Sequence, residues 1–253
     1  MIKVDILASG SGGNCIAVRS GETTILIDAG IAKTKIEKRL LEVGIRPDEI
    51  AAIFITHAHA DHIKGLPLAN KYRIPVYATE GEWKDIEGVD EELRMILHYD
   101  PPIYESISIF DDRMVVGPFK TYHDAYEPVG YSVIANGKQV SVCLDTGKID
   151  EAMIRAMSGS DIYIIEANHE PDMVEAGDYP DSVKARILSD NGHLSNEQVA
   201  TALQRLIQGR GEWIYLTHLS KRNNIPTLAE MTVKAALRRR GFEAGKHYEI
   251  EVV

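Results

Sequence analysis

Within the stretch FITHAHADHIKG, residues 54–65, four groups able to hold a divalent cation fall in six positions: His57, His59, Asp61 and His62. Its three histidines are a third of the nine in a chain of 253 residues. Neutral imidazole and carboxylate are ligands for borderline-to-hard ions such as Zn²⁺ or Mn²⁺, with Fe²⁺ accepted by the same set. At a strand end His57 and His59, two apart, share a face. A tight turn onto a helix then aims Asp61 and His62 at a second point a few Å away. The alternative is a chance polar loop, which fits poorly after the buried-strand pattern AAIFIT. Other chemical residues also follow apolar runs: Asp28 in LIDAG, His123 in KTYHDAYEP, Asp145 in VCLDTG, Glu166 in IIEAN and His218 in YLTHLS.

These residues need elements to carry them. Strands are expected at residues 2–8, CIAVRS, TTILIDAG, AAIFIT, PVYAT, ISIFDD, MVVGPFKTY, YSVIAN, QVSVCLD, DIYIIEAN, EWIYLT and HYEIEVV. An amphipathic helix with Ile36, Leu40 and Leu41 on one face stops at Gly44, and further helices are expected near 149–158, 180–189, 195–208 and 226–240. Many strands, then strand–helix alternation, imply two sheets covered by helices. Several strands ending at one sheet edge bring the polar residues after them together.

The composition is 44% hydrophobic and 26% charged, as in an ordinary globular protein, and the length suits one domain over 1–253. No apolar run reaches the roughly 18 residues of a membrane span, and MIKVDILASGSGGN lacks a secretory h-region. Cys15 and Cys143 lie in apolar strand-like runs, so a cytoplasmic location is expected. A net charge of −10 argues against broad nucleic-acid binding over the whole surface, but not against a local site made positive by metal.

The motif His57-x-His59-x-Asp61-His62 resembles the HxHxDH signature of the metallo-β-lactamase superfamily, and the likeness extends over most of the chain. The resemblance implies an α/β fold, an αββα four-layer sandwich of two mixed sheets flanked by helices, with a binuclear site at one sheet edge. It implies that His57, His59 and His123 hold one ion and Asp61, His62 and His218 the other. Asp145 and a water or hydroxide then bridge the pair, and Asp28 supports the loop from behind. Each position has a plainer reading: His123 a surface histidine beside Asp124, Asp145 a turn residue, His218 a core histidine, Asp28 a strand end. Metal binding lowers the pKa of water to about 7, which makes hydrolysis the expected reaction and the bridging hydroxide its nucleophile.

Residue 59 is His where the diiron branch carries Glu, and the 82 residues between His62 and Asp145 leave no room for a β-CASP insertion. The segments IIEANHEPDM and NGHLSNEQVATAL resemble elements of the nucleases related to transfer-RNA 3′ processing. That resemblance makes Glu166 and His193 a proton relay at the leaving group. The other reading of His193 is a helix-entry residue before the cap Ser195. His169 lies on the substrate rim, in the outer shell, or only in a loop. Lys221 and Arg222, with Asn223 and Asn224 as amide donors, are candidate phosphate contacts or a solvated turn. The run Arg238–Arg240 reads as a solvated helix end, and the turn at 9–13 either approaches substrate or is a plain β-turn.

The motifs together look most like the YycJ/WalJ-type group of bacterial hydrolases, which implies a 5′-to-3′ DNA exonuclease, with RNA as a second candidate substrate. Two other classes compete. One is a small-molecule hydrolase: a cyclic phosphodiesterase, a lactonase or a glyoxalase-type thioesterase. The other is a metal-stabilised binding module without turnover, against which the complete ligand set argues. No obligate protein partner and no membrane are implied.

Overall fold

The computed structural model describes residues 2–100, 103–104, 107–109 and 114–253. Its first sheet has six strands in sequence order: β1 (Ile2–Ala8), β2 (Cys15–Ser20), β3 (Thr23–Ile27), β4 (Ile50–Phe54), β5 (Val76–Thr79) and β6 (Arg94–Leu97). The first three strands pair antiparallel and β3 to β6 pair parallel, so the sheet is mixed. Parallel strands release their loops at one edge. With Ile27 opposite Phe54, the chain leaves β3 and β4 together there, and Asp28 and His57 leave with it.

A two-stranded piece, β7 (Tyr99–Asp100) with β8 (Ile103–Tyr104), precedes the second sheet. That sheet contains β9 (Ile107–Ile109), β10 (Met114–Lys120), β11 (Val129–Ala135), β12 (Lys138–Cys143), β13 (Ile162–Glu166), β14 (Glu212–Thr217) and β15 (Tyr248–Val252). Its order simply reverses the sequence, from β15 to β9. It too is mixed: β12 to β15 run parallel, whereas β9 and β10 are antiparallel. Cys143 faces Ile165 and Glu166 faces Thr217, which delivers Asp145, Glu166 and His218 to one edge. The strand expected over 107–112 is present at Ile107–Ile109; its last residues lie outside the described ones.

The chain divides into two compact units. The first comprises Met1–Pro118, Ala125–Val129 and Val133–Lys138; the second comprises Phe119–Asp124, Gly130–Ser132 and Gln139–Val253. In the first, α1 (Lys33–Glu42) and α3 (Pro67–Tyr72) pack Ile36, Leu40 and Leu68 into a core with Leu26, Ile53 and Val76. Leu41 departs from expectation. It is 61% exposed, because at 100° per residue it stands well off the line joining Ile36 to Leu40. Gly44 does end the helix, with φ 74°.

In the second unit α4 (Glu151–Met157), α7 (Asn196–Leu206) and α8 (Pro226–Arg239) cover the sheet, with α5 (Pro171–Ala176) and α6 (Asp181–Ile187) between β13 and α7. Val199, Leu203, Val233 and Leu237 meet Tyr163, Ile165, Ile214 and Leu216 in its core. Ser195 caps α7 in a reciprocal bond pair with Gln198. The two cysteines are buried free thiols, and burial pushes both thiols up. Among the described residues no helix is long and apolar enough to cross a membrane.

Candidate functional site

In the first unit the residues after β3 and β4 lock together through one carboxylate. Asp28, fully buried with φ 60°, accepts the Thr56 N–H at 2.8 Å and the Thr56 hydroxyl at 2.9 Å. It also faces His62 Nδ1 at 2.7 Å. Burial holds the Asp28 carboxyl above the usual range, and the charge of His62 works against that rise. An aspartate accepting Nδ1–H fixes the tautomer, the arrangement common behind metal-bound histidines, and it puts the lone pair on His62 Nε2, which faces the Asn14 amide nitrogen at 3.1 Å. That Nε2 lies 3.7 Å from Asp61 Oδ2. Nearby, His57 Nε2 and His59 Nδ1 face each other at 3.1 Å. Two nitrogens bound to one tetrahedral zinc at the usual bond length are about 3.3 Å apart, so the spacing suits a shared cation.

The turn at 9–13 braces this loop. Asn14 donates its backbone N–H to the Asp61 carbonyl at 2.8 Å, and its own carbonyl accepts from Gly30 at 2.7 Å. A Cβ on Gly30 would stand 1.6 Å from the Asp61 oxygen, and one on Gly13 only 2.4 Å from the Gly30 oxygen. Glycine is required at both because three backbones meet there. The short helix α2 (Ala60–Ile63) then turns Asp61 and His62 onward from His59.

Sequence reasoning missed Glu82. It is buried, one oxygen accepting the Ala58 N–H at 2.7 Å and the other the Glu127 N–H at 2.6 Å. Burial raises its carboxyl above the ordinary value, against the pull of those two bonds. It therefore grips the backbone between His57 and His59. The available signal was its place just past β5, which runs parallel to β4 and ends at the same edge. Glu82→Ala leaves two buried donors unanswered, at about 1–3 kcal/mol each. The expected result is a melting temperature lower by about 5–10 °C, partly restored in Glu82→Gln, which keeps one acceptor; calorimetry checks both.

In the second unit His123 directs Nδ1 to the Gly192 carbonyl at 3.1 Å, which turns Nε2 toward Asp124 at 3.1 Å and Asp145 at 4.0 Å. Burial lowers the His123 pKa. Asp145 (φ 44°) and His218 (φ 54°) are both nearly buried and 2.7 Å apart, Oδ1 to Nδ1. Among the described residues five non-glycine positions have left-handed backbone, and Asp28, Asp145 and His218 are three of them. Such conformations concentrate where geometry serves chemistry.

Glu166 is fully buried at the end of β13. One oxygen accepts from Thr146 N at 2.6 Å and Leu194 N at 3.3 Å; the other meets His193 Nδ1 at 3.0 Å. Burial opposes charge on both. The attraction between them prevails, holding Glu166 below and His193 above their usual ranges. Asp145, Glu166, His193 and His218 each bring a donor atom within 4.8 Å of the others. Imidazoles and carboxylates at such spacing in both units fit a divalent cation.

The remaining candidates are scattered. His169 is buried rather than on an open rim, because its backbone bridges to Ser195 and its carbonyl accepts from Asn196. Burial pushes its pKa down to about 4, and its Nδ1 meets no hydrogen-bond partner among the described residues. Lys221 and Arg222 are exposed, with the Arg222 guanidinium 5.7 Å from the Tyr179 ring centre. Asn223 is buried at 3% exposure, its N–H on Ser220 Oγ and its carbonyl on Glu170 N. The Asn224 amide is not an available donor: Ala167 O and Asn196 Oδ1 take its hydrogens. Arg240 reaches the carbonyls of Gln204 and Ile207 at the end of α7, so the run 238–240 is partly structural.

Residues 23–219 match the family model for a β-lactamase superfamily domain. Over 250 residues the chain is 36% identical to exodeoxyribonuclease YycJ of Bacillus anthracis, covering 97% of this chain and 92% of that protein. It is 38% identical over 251 residues to exodeoxyribonuclease WalJ of Streptococcus pneumoniae serotype 2, covering 98% and 93%. The crystal structure of the metallo-β-lactamase fold protein YhfI from Bacillus subtilis superimposes with a TM-score of 0.74 at 15% identity, over 100% of this chain and 97% of that one. Two mixed sheets with covering helices, the histidine and aspartate clusters at their edges and these likenesses agree: the chain belongs to the metallo-β-lactamase superfamily.

Proposed function

We propose that the chain is a metal-dependent nuclease, a hydrolase of phosphodiester bonds that removes nucleotides from DNA ends in the 5′-to-3′ direction. The observation that carries this reading is near-full-length identity of 36–38% with two exodeoxyribonucleases. The Glu166–His193 pair, which suits a phosphate ester with a poor leaving group, supports it. The family match runs unbroken from 23 to 219, through both compact units, in keeping with one catalytic domain. As the family resemblance implies, His57, His59 and His123 would hold one ion, Asp61, His62 and His218 another, and Asp145 would serve both; these ligands accept Zn²⁺, Mn²⁺ or Fe²⁺. Two buried free thiols suit a reducing cytoplasm.

Divalent ions there supply Lewis acidity and an ionised water near neutral pH. The chain's own groups do the rest. Asp28 fixes the His62 tautomer, and Asp61 adds negative charge beside it. Glu166 orients His193 through Nδ1, leaving Nε2 to deliver a proton to the departing alkoxide. Lys221 and Arg222, exposed just past His218, contact backbone phosphates, whereas His169 and Asn223 are buried and stand off that contact.

The test is an assay of the metal-loaded protein on 5′- and 3′-labelled DNA and RNA, with bis-p-nitrophenyl phosphate and a thioester alongside. Shortening of DNA from the 5′ end, absent in His57→Ala, is expected. Turnover of the small esters alone, with every nucleic acid left intact, overturns the reading.

A further inference from the structure

Tyr126 stands three residues past His123, its side chain 59% exposed. A single exposed aromatic is ordinary. This one is set apart by how firmly its surroundings are held. Its neighbour Glu127 gives its N–H to Glu82 Oε1 at 2.6 Å, accepts the Gly81 N–H on its own carboxylate at 2.7 Å, and takes the Thr79 hydroxyl on its carbonyl at 3.0 Å. The approach is so close that a Cβ on Gly81 would lie 2.7 Å from the Glu127 side chain. The other Glu82 oxygen holds the Ala58 N–H, between His57 and His59. One carboxylate therefore fixes the backbone next to Tyr126 at a set distance from the histidine pair. The Lys84 ammonium sits 5.1 Å from the centre of the Tyr126 ring, a cation–π contact that restrains the ring without covering it.

We propose that Tyr126 and Lys84 form a stacking step for an unpaired base of a single-stranded nucleic acid whose backbone reaches the His57–His59 pair. The proposal rests on the nuclease reading above and names how that site takes its substrate. A ring whose backbone is already immobile loses little further entropy when a base lies on it. Every base has a π face, so the step is tolerant of sequence, as an exonuclease requires. Glu80, Asp85 and Glu87 flank Lys84, so local charge alone does not draw an anion here. The flat face of a base supplies the attraction, and Lys84 meets the phosphate that comes with it.

Fluorescence anisotropy with a labelled, phosphorothioate-linked hexathymidylate tests this without cleavage, in the full-length protein. Tyr126→Ala is expected to weaken binding about tenfold, while Tyr126→Phe stays within about twofold. On a cleavable oligonucleotide Tyr126→Ala raises KM more than it lowers kcat. Lys84→Ala lowers the salt dependence of binding by about one phosphate contact; Tyr126→Ala leaves that slope alone. Because Tyr126 is exposed, its replacement should not unfold the chain, which a melting curve verifies. A wild-type protein that cleaves DNA while Tyr126→Ala keeps its Kd and KM overturns the stacking step and spares the nuclease reading. A wild-type protein that binds the oligonucleotide through Tyr126 but hydrolyses none does the reverse. No binding by the wild type removes the step.

Discussion

Asp145→Ala, folded and purified in metal-containing buffer, is expected to lose phosphodiesterase activity by more than about 10³-fold and to retain less metal per chain. In the second unit this carboxylate lies 2.7 Å from His218 Nδ1, 3.8 Å from His193 Nδ1 and 4.0 Å from His123 Nε2. One anion thus meets three imidazoles. Removing a group behind a metal ligand commonly costs 10–100-fold in affinity or activity. Removing a charged ligand shared by two ions, the role proposed for Asp145, would cost more. Alanine also strains a residue held at φ 44°, at about 1 kcal/mol, so Asp145→Asn is the necessary companion. Asparagine tolerates the left-handed conformation and keeps the shape without the charge. Elemental analysis and kcat/KM on both variants decide the matter. If both keep a full complement of metal and near-normal turnover, Asp145 is a turn residue.

The second large effect separates a proton donor from a ligand. His193→Ala is expected to keep its metal and to lower kcat by about 10²–10⁴, with a smaller loss on esters whose leaving group is already acidic. The structure makes this a sharp test. Asp145, Glu166, His193 and His218 are close enough to hold an ion among themselves, so His193 has two trades open to it. Its Nδ1 on the Glu166 carboxylate at 3.0 Å favours the donor role. Loss of metal in His193→Ala, measured by the same elemental analysis, would assign it as a ligand instead. A uniform loss across good and poor leaving groups would also count against the relay.

Much of the fold and of the site is legible in the order of residues. Periodicity locates the strands that carry Asp28, His57, Asp145, Glu166 and His218, because a buried parallel strand announces itself as an apolar run and its loop as an abrupt polar one. Pairwise geometry is less legible. Nothing in the order of residues says that Asp28 meets Thr56 and His62 across 28 and 34 positions. The 1.6 Å clash that forbids a side chain at residue 30 is equally invisible in sequence. Glu82 escapes notice because one glutamate among Glu80, Glu82 and Asp85 looks like solvated charge until its burial is known. Leu41 fails because adjacent leucines cannot both face the core of a short helix. Asn224 looks like a donor to a ligand, but its amide ties the loop after His218 to Ala167, past β13, and to Asn196 at the start of α7.

The left-handed backbone at Asp28, Asp145 and His218 has a consequence for how such a protein would decay. Glycine is at ease where these three side chains are not, but Asp28 also answers the Thr56 N–H, the Thr56 hydroxyl and His62. A copy of the chain released from the need to hydrolyse anything would thus gain from glycine at 145 or 218 and not at 28. Selection for catalysis must therefore act continuously against a gain in robustness. Among descendants of this chain, glycine at 145 or 218 would mark a lineage that has kept the scaffold and abandoned the reaction.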